Sequence, residues 1–115
     1  MSWTLKVRDT FSAAHYLKEY KGKCEKIHGH TFRVEVAIAV RDLDPTGIGF
    51  DFTEIKKVLA EALPDHALLN EVFPFNPSAE NIARHLFGEL KKKYPVESVT
   101  VWESEDASAT YAEDD

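Results

Sequence analysis

At 115 residues the chain is expected to fold as a single domain, 1–115, around one hydrophobic core. Its formal charge of −6 argues against direct nucleic-acid binding, which needs a basic face, and no apolar run approaches the ~20 residues that span a bilayer. One cysteine excludes an intrachain disulfide, and the N-terminal residues lack a signal peptide's apolar stretch; together they imply a cytoplasmic protein.

Residues 3–15 read as a strand. Trp3, Leu5, Val7, Phe11, Ala13 and His15 share one parity, and Thr4, Lys6, Arg8, Thr10 and Ser12 take the other. Period two is the mark of a half-buried strand. Residues 16–27 form a polar loop holding Lys18, Lys21, Lys23, Cys24 and Lys26. Residues 30–41 are a second strand, with Phe32, Val34, Val36, Ile38 and Val40 on one face. His28 and His30 continue the Phe32 parity, and Gly29 between them leaves room for close approach. If the two strands pair antiparallel, the end of the first lies beside the start of the second. His15, His28 and His30 then converge at one end of the sheet, under the loop that carries Cys24.

Asp44-Pro45-Thr46-Gly47 has the composition of a turn. Asp51 and Glu54 resemble a capping box opening a helix over about 52–63, ended by Pro64. Residues 64–70 read as a connector and 71–77 as loop. A second helix starts at the cap Ser78 and runs to about Tyr94, where Pro95 stops it. A third strand spans 96–104, with Val99, Val101 and Glu103 in phase, and a fourth spans 108–112. The order β-β-α-α-β-β predicts an α+β layer: a four-stranded antiparallel sheet with two helices on one face.

Three neutral imidazoles leave one position of a zinc ion open, which is a catalytic pattern, whereas a structural zinc has four protein ligands. A lone cysteine is usually an inert buried hydrophobe. Cys24 instead lies in a lysine-rich loop, where positive charge and zinc would favour the thiolate. Asp65 next to His66 is either a surface or capping pair or a proton relay, since a carboxylate fixes an imidazole's tautomer. Glu103 is costly to bury unpaired. Either its face opens to solvent there, or it meets a forked pair of N–H donors on a ligand. His85, among charged neighbours on the second helix, reads as surface.

Taken together, these residues resemble the 6-pyruvoyl-tetrahydropterin synthase family. The resemblance rests on Phe11-Ser-Ala-Ala-His15, Cys24-x3-His28-Gly-His30, Gly49-Phe-Asp51-Phe, Asp65-His66-x3-Asn70, Asn76-Pro-Ser-Ala-Glu80-Asn81 and the Glu103 strand. The three-residue spacing between Cys24 and His28 resembles the 6-carboxy-5,6,7,8-tetrahydropterin synthase branch. Ser78 departs from the family's frequent threonine, and Ala67 from a larger residue. The resemblance implies a tunnelling fold oligomerising into a barrel, commonly a homo-oligomeric hexamer built as a dimer of trimers. It implies a lyase with Zn2+ on His15, His28 and His30, Cys24 as general base, Asp65 and His66 as the relay, and Glu103 anchoring the pterin. The implied substrate is 7,8-dihydroneopterin triphosphate. The implied products are 6-carboxy-5,6,7,8-tetrahydropterin, acetaldehyde and triphosphate, on the queuosine route to deazapurine-modified tRNA bases. Two alternatives stay within the family: a pyruvoyl-forming synthase and a 6-hydroxymethyl-pterin-forming branch. A third is of another class: a noncatalytic zinc-stabilised binding module with four protein ligands on the metal.

Overall fold

The computed structural model describes residues 2–23 and 25–113. Two long strands, β1 (Trp3–His15) and β2 (His28–Val40), pair antiparallel along their whole length, from Trp3 opposite Val40 to His15 opposite His28. Their alternation holds. Val7, Phe11, Ala13 and His15 of β1 and Phe32, Val34, Val36, Ile38 and Val40 of β2 are buried, while Lys6, Arg8, Thr10 and Ser12 are exposed. β4 (Val96–Trp102) adds antiparallel to β2, with a bulge at Ala37/Ile38, and β5 (Ser108–Ala112) adds antiparallel to β4.

On the buried face lie α1 (Phe52–Ala62) and α3 (Ala79–Lys91). Asp51 caps α1 by accepting from the Thr53 amide, and Ser78 caps α3 by accepting from the Asn81 amide. Ile55 and Leu59 of α1, and Ile82, Leu86 and Leu90 of α3, pack into the same core as the inward residues of the sheet. Before α1, Gly49 passes so close to Val40 that a Cβ there would sit 2.7 Å from a Val40 methyl, so only glycine fits.

The sheet differs from expectation in one strand. It has five strands in the order β3-β1-β2-β4-β5 and is mixed, not purely antiparallel. The extra strand, β3 (Ala67–Leu68), runs parallel to Ala13 and Ala14 of β1. It leads directly into a one-turn helix, α2 (Leu69–Val72), where loop was expected. α3 also stops short of Tyr94: the amides of Lys93 and Tyr94 both donate to Leu90 O. His85 is half-buried against Phe73 and Phe75, with ring centroids 4.9 and 5.6 Å away, and so is less exposed than expected. Among the described residues no helix is long and apolar enough to cross a membrane.

Candidate metal centre

The register of β1 and β2 decides the site. Because His15 lies opposite His28, and His30 follows two residues on, all three side chains leave the same end of the sheet on its core side. Their ring centroids are 4.7 to 5.1 Å apart. Beneath them Phe32, itself stacked on Phe11, presents its ring to both His15 and His30. Gly29, paired with Ala14 in the ladder, is not what lets the strands approach. A Cβ there would make only an ordinary contact with Ala13 O, and the space it leaves faces an adjoining pocket instead.

Backbone carbonyls set two of the tautomers. His15 Nδ1 donates to Pro77 O and His28 Nδ1 donates to Lys26 O, each at 2.8 Å. A carbonyl only accepts, so each Nδ1 carries the proton and each Nε2 keeps a free lone pair. His15 is fully buried, and its Nε2 has no partner; His30 Nε2 is likewise buried without a hydrogen bond. Buried polar atoms are ordinarily satisfied, and two orphans aimed at one point mark a place where something is bound. Burial is the main reason His30 sits below the usual imidazole range. The Glu103 carboxylate pulls the other way, and the His15 and His28 rings add to the lowering. A neutral imidazole is the form a metal requires.

Glu103 joins this group. It stands one residue beyond β4, where its amide donates to Ala107 O. Trp102 pairs with Arg33, so Glu103 falls at the level of the histidines on the core side. Its Oε1 is 3.1 Å from His30 Nε2, but off the line an N–H would take. The candidate ligand atoms of His15, His28, His30 and Glu103 all lie within 4.8 Å of one another. Tetrahedral zinc, with bonds of about 2.0–2.1 Å, needs ligand separations of about 3.3 Å, so a small inward movement of side chains completes the cage. The group can hold a metal ion. Glu103 and His30 also border a pocket of about 440 Å³ lined by Thr10, Thr31, Arg33 and Trp102.

The other predicted residues are placed differently. Asp65 and His66 are not in the cage. Asp65 accepts from the Ser12 amide through Oδ1 and from His66 Nδ1 through Oδ2, both at 2.8 Å. The Ser12 N–H is the main reason its carboxyl lies below the usual range, with His66 adding to it. His66 itself has a positive φ of 56° and a largely exposed side chain. The pair is thus fastened beside β1, facing outward. Cys24 lies outside the described residues. The loop around it is held by two asparagines that the motif pattern flagged without a role. Asn70 bonds both the amide and the carbonyl of Tyr16, and Asn76 does the same for Lys18, imitating a strand partner.

A family model for 6-pyruvoyl tetrahydropterin synthase matches residues 4–114. The chain belongs to that family. Within it, a provisionally named 6-carboxy-5,6,7,8-tetrahydropterin synthase of Archaeoglobus fulgidus is 41% identical over 103 residues, covering 87% of each chain. A dihydroneopterin monophosphate aldolase of Pyrococcus furiosus is 34% identical over 102 residues, covering 84% of this chain and 85% of the other. The 6-pyruvoyl tetrahydropterin synthase of Caenorhabditis elegans superposes with a TM-score of 0.83 at 26% identity, covering 99% of this chain and 97% of the other. This family member therefore shares the tunnelling fold, with the cage at the end of its two longest strands.

Proposed function

We propose that the protein is a zinc-dependent 6-carboxy-5,6,7,8-tetrahydropterin synthase. It converts 7,8-dihydroneopterin triphosphate to 6-carboxy-5,6,7,8-tetrahydropterin, acetaldehyde and triphosphate in the cytoplasm, on the queuosine route. The observation that carries this reading is the convergence of three imidazoles, two with orphaned buried Nε2 atoms, on one point beside Glu103. The choice of branch rests on the spacing from Cys24 to His28 and on the 41% identity to the Archaeoglobus protein.

His15, His28 and His30 would hold the zinc. When bound, it supplies a Lewis acid that polarises the oxygens of the substrate's side chain and acidifies the adjacent C–H bonds. Glu103 has two oxygens to accept from the forked 2-amino and N3 donors of the pterin, and the neighbouring pocket has room for a fused bicyclic ring. Cys24 is the base at the side-chain carbon. His66 is the second proton carrier: its Nδ1–H is held by Asp65, which leaves Nε2 free to take or give a proton. Lys18, Lys21, Lys23 and Lys26 surround the loop and meet the triphosphate.

The outward placement of Asp65 and His66 fits a site shared between copies, with the relay of one chain serving the cage of another. A barrel-forming homo-oligomer, a hexamer built as a dimer of trimers, would supply that partner. It would also cover β3 and β5, the two edges of the sheet.

Product analysis with 7,8-dihydroneopterin triphosphate tests the reading. Acetaldehyde and the 6-carboxy pterin are expected; a pyruvoyl product overturns it. A second reading, favoured by the 34% identity to the Pyrococcus aldolase, has this chain release a 6-hydroxymethyl pterin. A parallel assay with the monophosphate separates the two. Cys24→Ala is expected to keep zinc and lose about 10²-fold in turnover, the scale of a missing acid–base group. A parent protein that binds zinc but shows no turnover, so that Cys24→Ala has none to change, would leave the noncatalytic zinc module as the better account.

A further inference from the structure

The mechanism asks Glu103 to grip the pterin, yet the structure has the same carboxylate turned towards the imidazoles, 3.1 Å from His30 Nε2. We propose that Glu103 is a two-position residue: with the pocket empty of substrate it closes the cage as a fourth, exchangeable metal ligand, and it lets go when a pterin's donor edge draws it away. The second position rests on the proposed function; the first rests on the geometry of the cage.

Several observations converge on this. The contact between Glu103 and His30 is close but is not a hydrogen bond, which is how two ligands of one cation sit relative to each other. The Glu103 oxygen belongs to the same 4.8 Å group as the three imidazole nitrogens. Three neutral imidazoles leave a divalent cation with its full charge in a half-buried site; one carboxylate halves that charge. The backbone at Glu103 is anchored by its bond to Ala107 O, so a change of position needs only side-chain torsions. The side chain keeps 34% of its exposure and borders the 440 Å³ pocket, so it has somewhere to go. His15 has no such freedom, being fully buried and tied to Pro77 O. A fixed trio with one mobile carboxylate gives a closed, metal-retaining site at rest and an open one when loaded.

Exchange has a consequence that simple anchoring lacks. A pterin without a side-chain diol, such as 6-methylpterin, removes Glu103 from the metal and offers no replacement for it. It should therefore loosen the metal, and by linkage the metal should weaken its binding by the same factor. Chelator competition for Zn2+ on the full-length protein measures this. Glu103→Gln, which keeps the shape and loses the charge, should weaken zinc about 10- to 100-fold with no pterin present. 6-Methylpterin should weaken zinc by a similar factor in the parent protein and have no such effect in Glu103→Gln. With Co2+ in place of zinc, the intense visible band of a four-coordinate site should change when 6-methylpterin is added to the parent. That measurement needs no variant, so it stands even if Glu103→Gln folds poorly. Unaltered zinc affinity in Glu103→Gln, alongside lost pterin binding, overturns the exchange and leaves the synthase reading intact. Failure of the parent protein to bind 6-methylpterin at all overturns both.

Discussion

Replacing His15 by leucine separates packing from ligation. The ring is fully buried, with the edge of Phe32 at a centroid distance of 5.3 Å. Leucine is close to it in volume, so the packing is largely kept. Two polar changes then oppose each other. Pro77 O loses its donor, which costs about 1–3 kcal/mol, and the orphaned Nε2 disappears, which returns a similar amount. The metal-free variant should therefore stay within about 2 kcal/mol of the parent. Zinc distinguishes them. At a hundred times its Kd a bound ion stabilises the folded state by about 2.7 kcal/mol. If the missing ligand weakens binding a hundredfold, the same zinc adds only about 0.4 kcal/mol. For a chain of this size one kcal/mol moves Tm by about 4–6 °C, so the zinc-dependent rise should fall from roughly 12 °C to roughly 2 °C. The assay is thermal unfolding with chelator or with zinc, at one fixed protein concentration because oligomer stability depends on it. A leucine variant that keeps the full rise would refute ligation by His15.

Two further predictions concern the surroundings of the cage. The Asp65 carboxyl is held below its usual range, so its contribution to stability is present above about pH 4 and is lost as pH falls through the lower folded value. Asp65→Asn should flatten the urea midpoint against pH in that acid range and reduce turnover about 10²-fold by releasing His66; an unchanged acid slope would show that the Ser12 bond does not favour the charged form. Asn76→Ala removes the 2.8 Å bond to the Lys18 amide and the longer one to its carbonyl, costing roughly 1–2 kcal/mol locally. Hydrogen exchange at Lys18 should speed up about tenfold while α3 is unaffected, and equal protection in both proteins would remove Asn76 as a clamp.

What the sequence shows here follows from the range over which each signal acts. Period two bounds β1 to the residue and β2 to within two, because each strand has one buried face and thirteen residues to display it. That regularity is enough to bring the histidines together. β3 has no period to show: two residues qualify as a strand only because Ala13 and Ala14 lie beside them. α2 is a single turn with no side-chain cap, which leaves no local mark. α3 was expected to run to Tyr94 with Pro95 as its stop, but helical geometry is disfavoured at the residue before a proline, and the amides of Lys93 and Tyr94 close the last turn together on Leu90 O. His85 looked like a surface residue by its charged neighbours; its burial comes from Phe73 and Phe75, ten or more positions away. The approach of Glu103 to His30 depends on a register between strands that pattern alone does not set. The outward turn of His66 follows from its positive φ and from its amide donating to Ser12 O, neither of which spacing reveals.

The carbonyls of Pro77 and Lys26 have one more implication. A main-chain oxygen belongs to the path of the chain and not to the residue that happens to supply it. Substitutions at 26 can leave the orientation of His28 intact so long as the loop keeps its course, while a one-residue insertion between 24 and 28 would turn that ring without touching any ligand. Drift in this site should therefore show first in spacing, and a designer wishing to retune the donors would change loop length before changing letters.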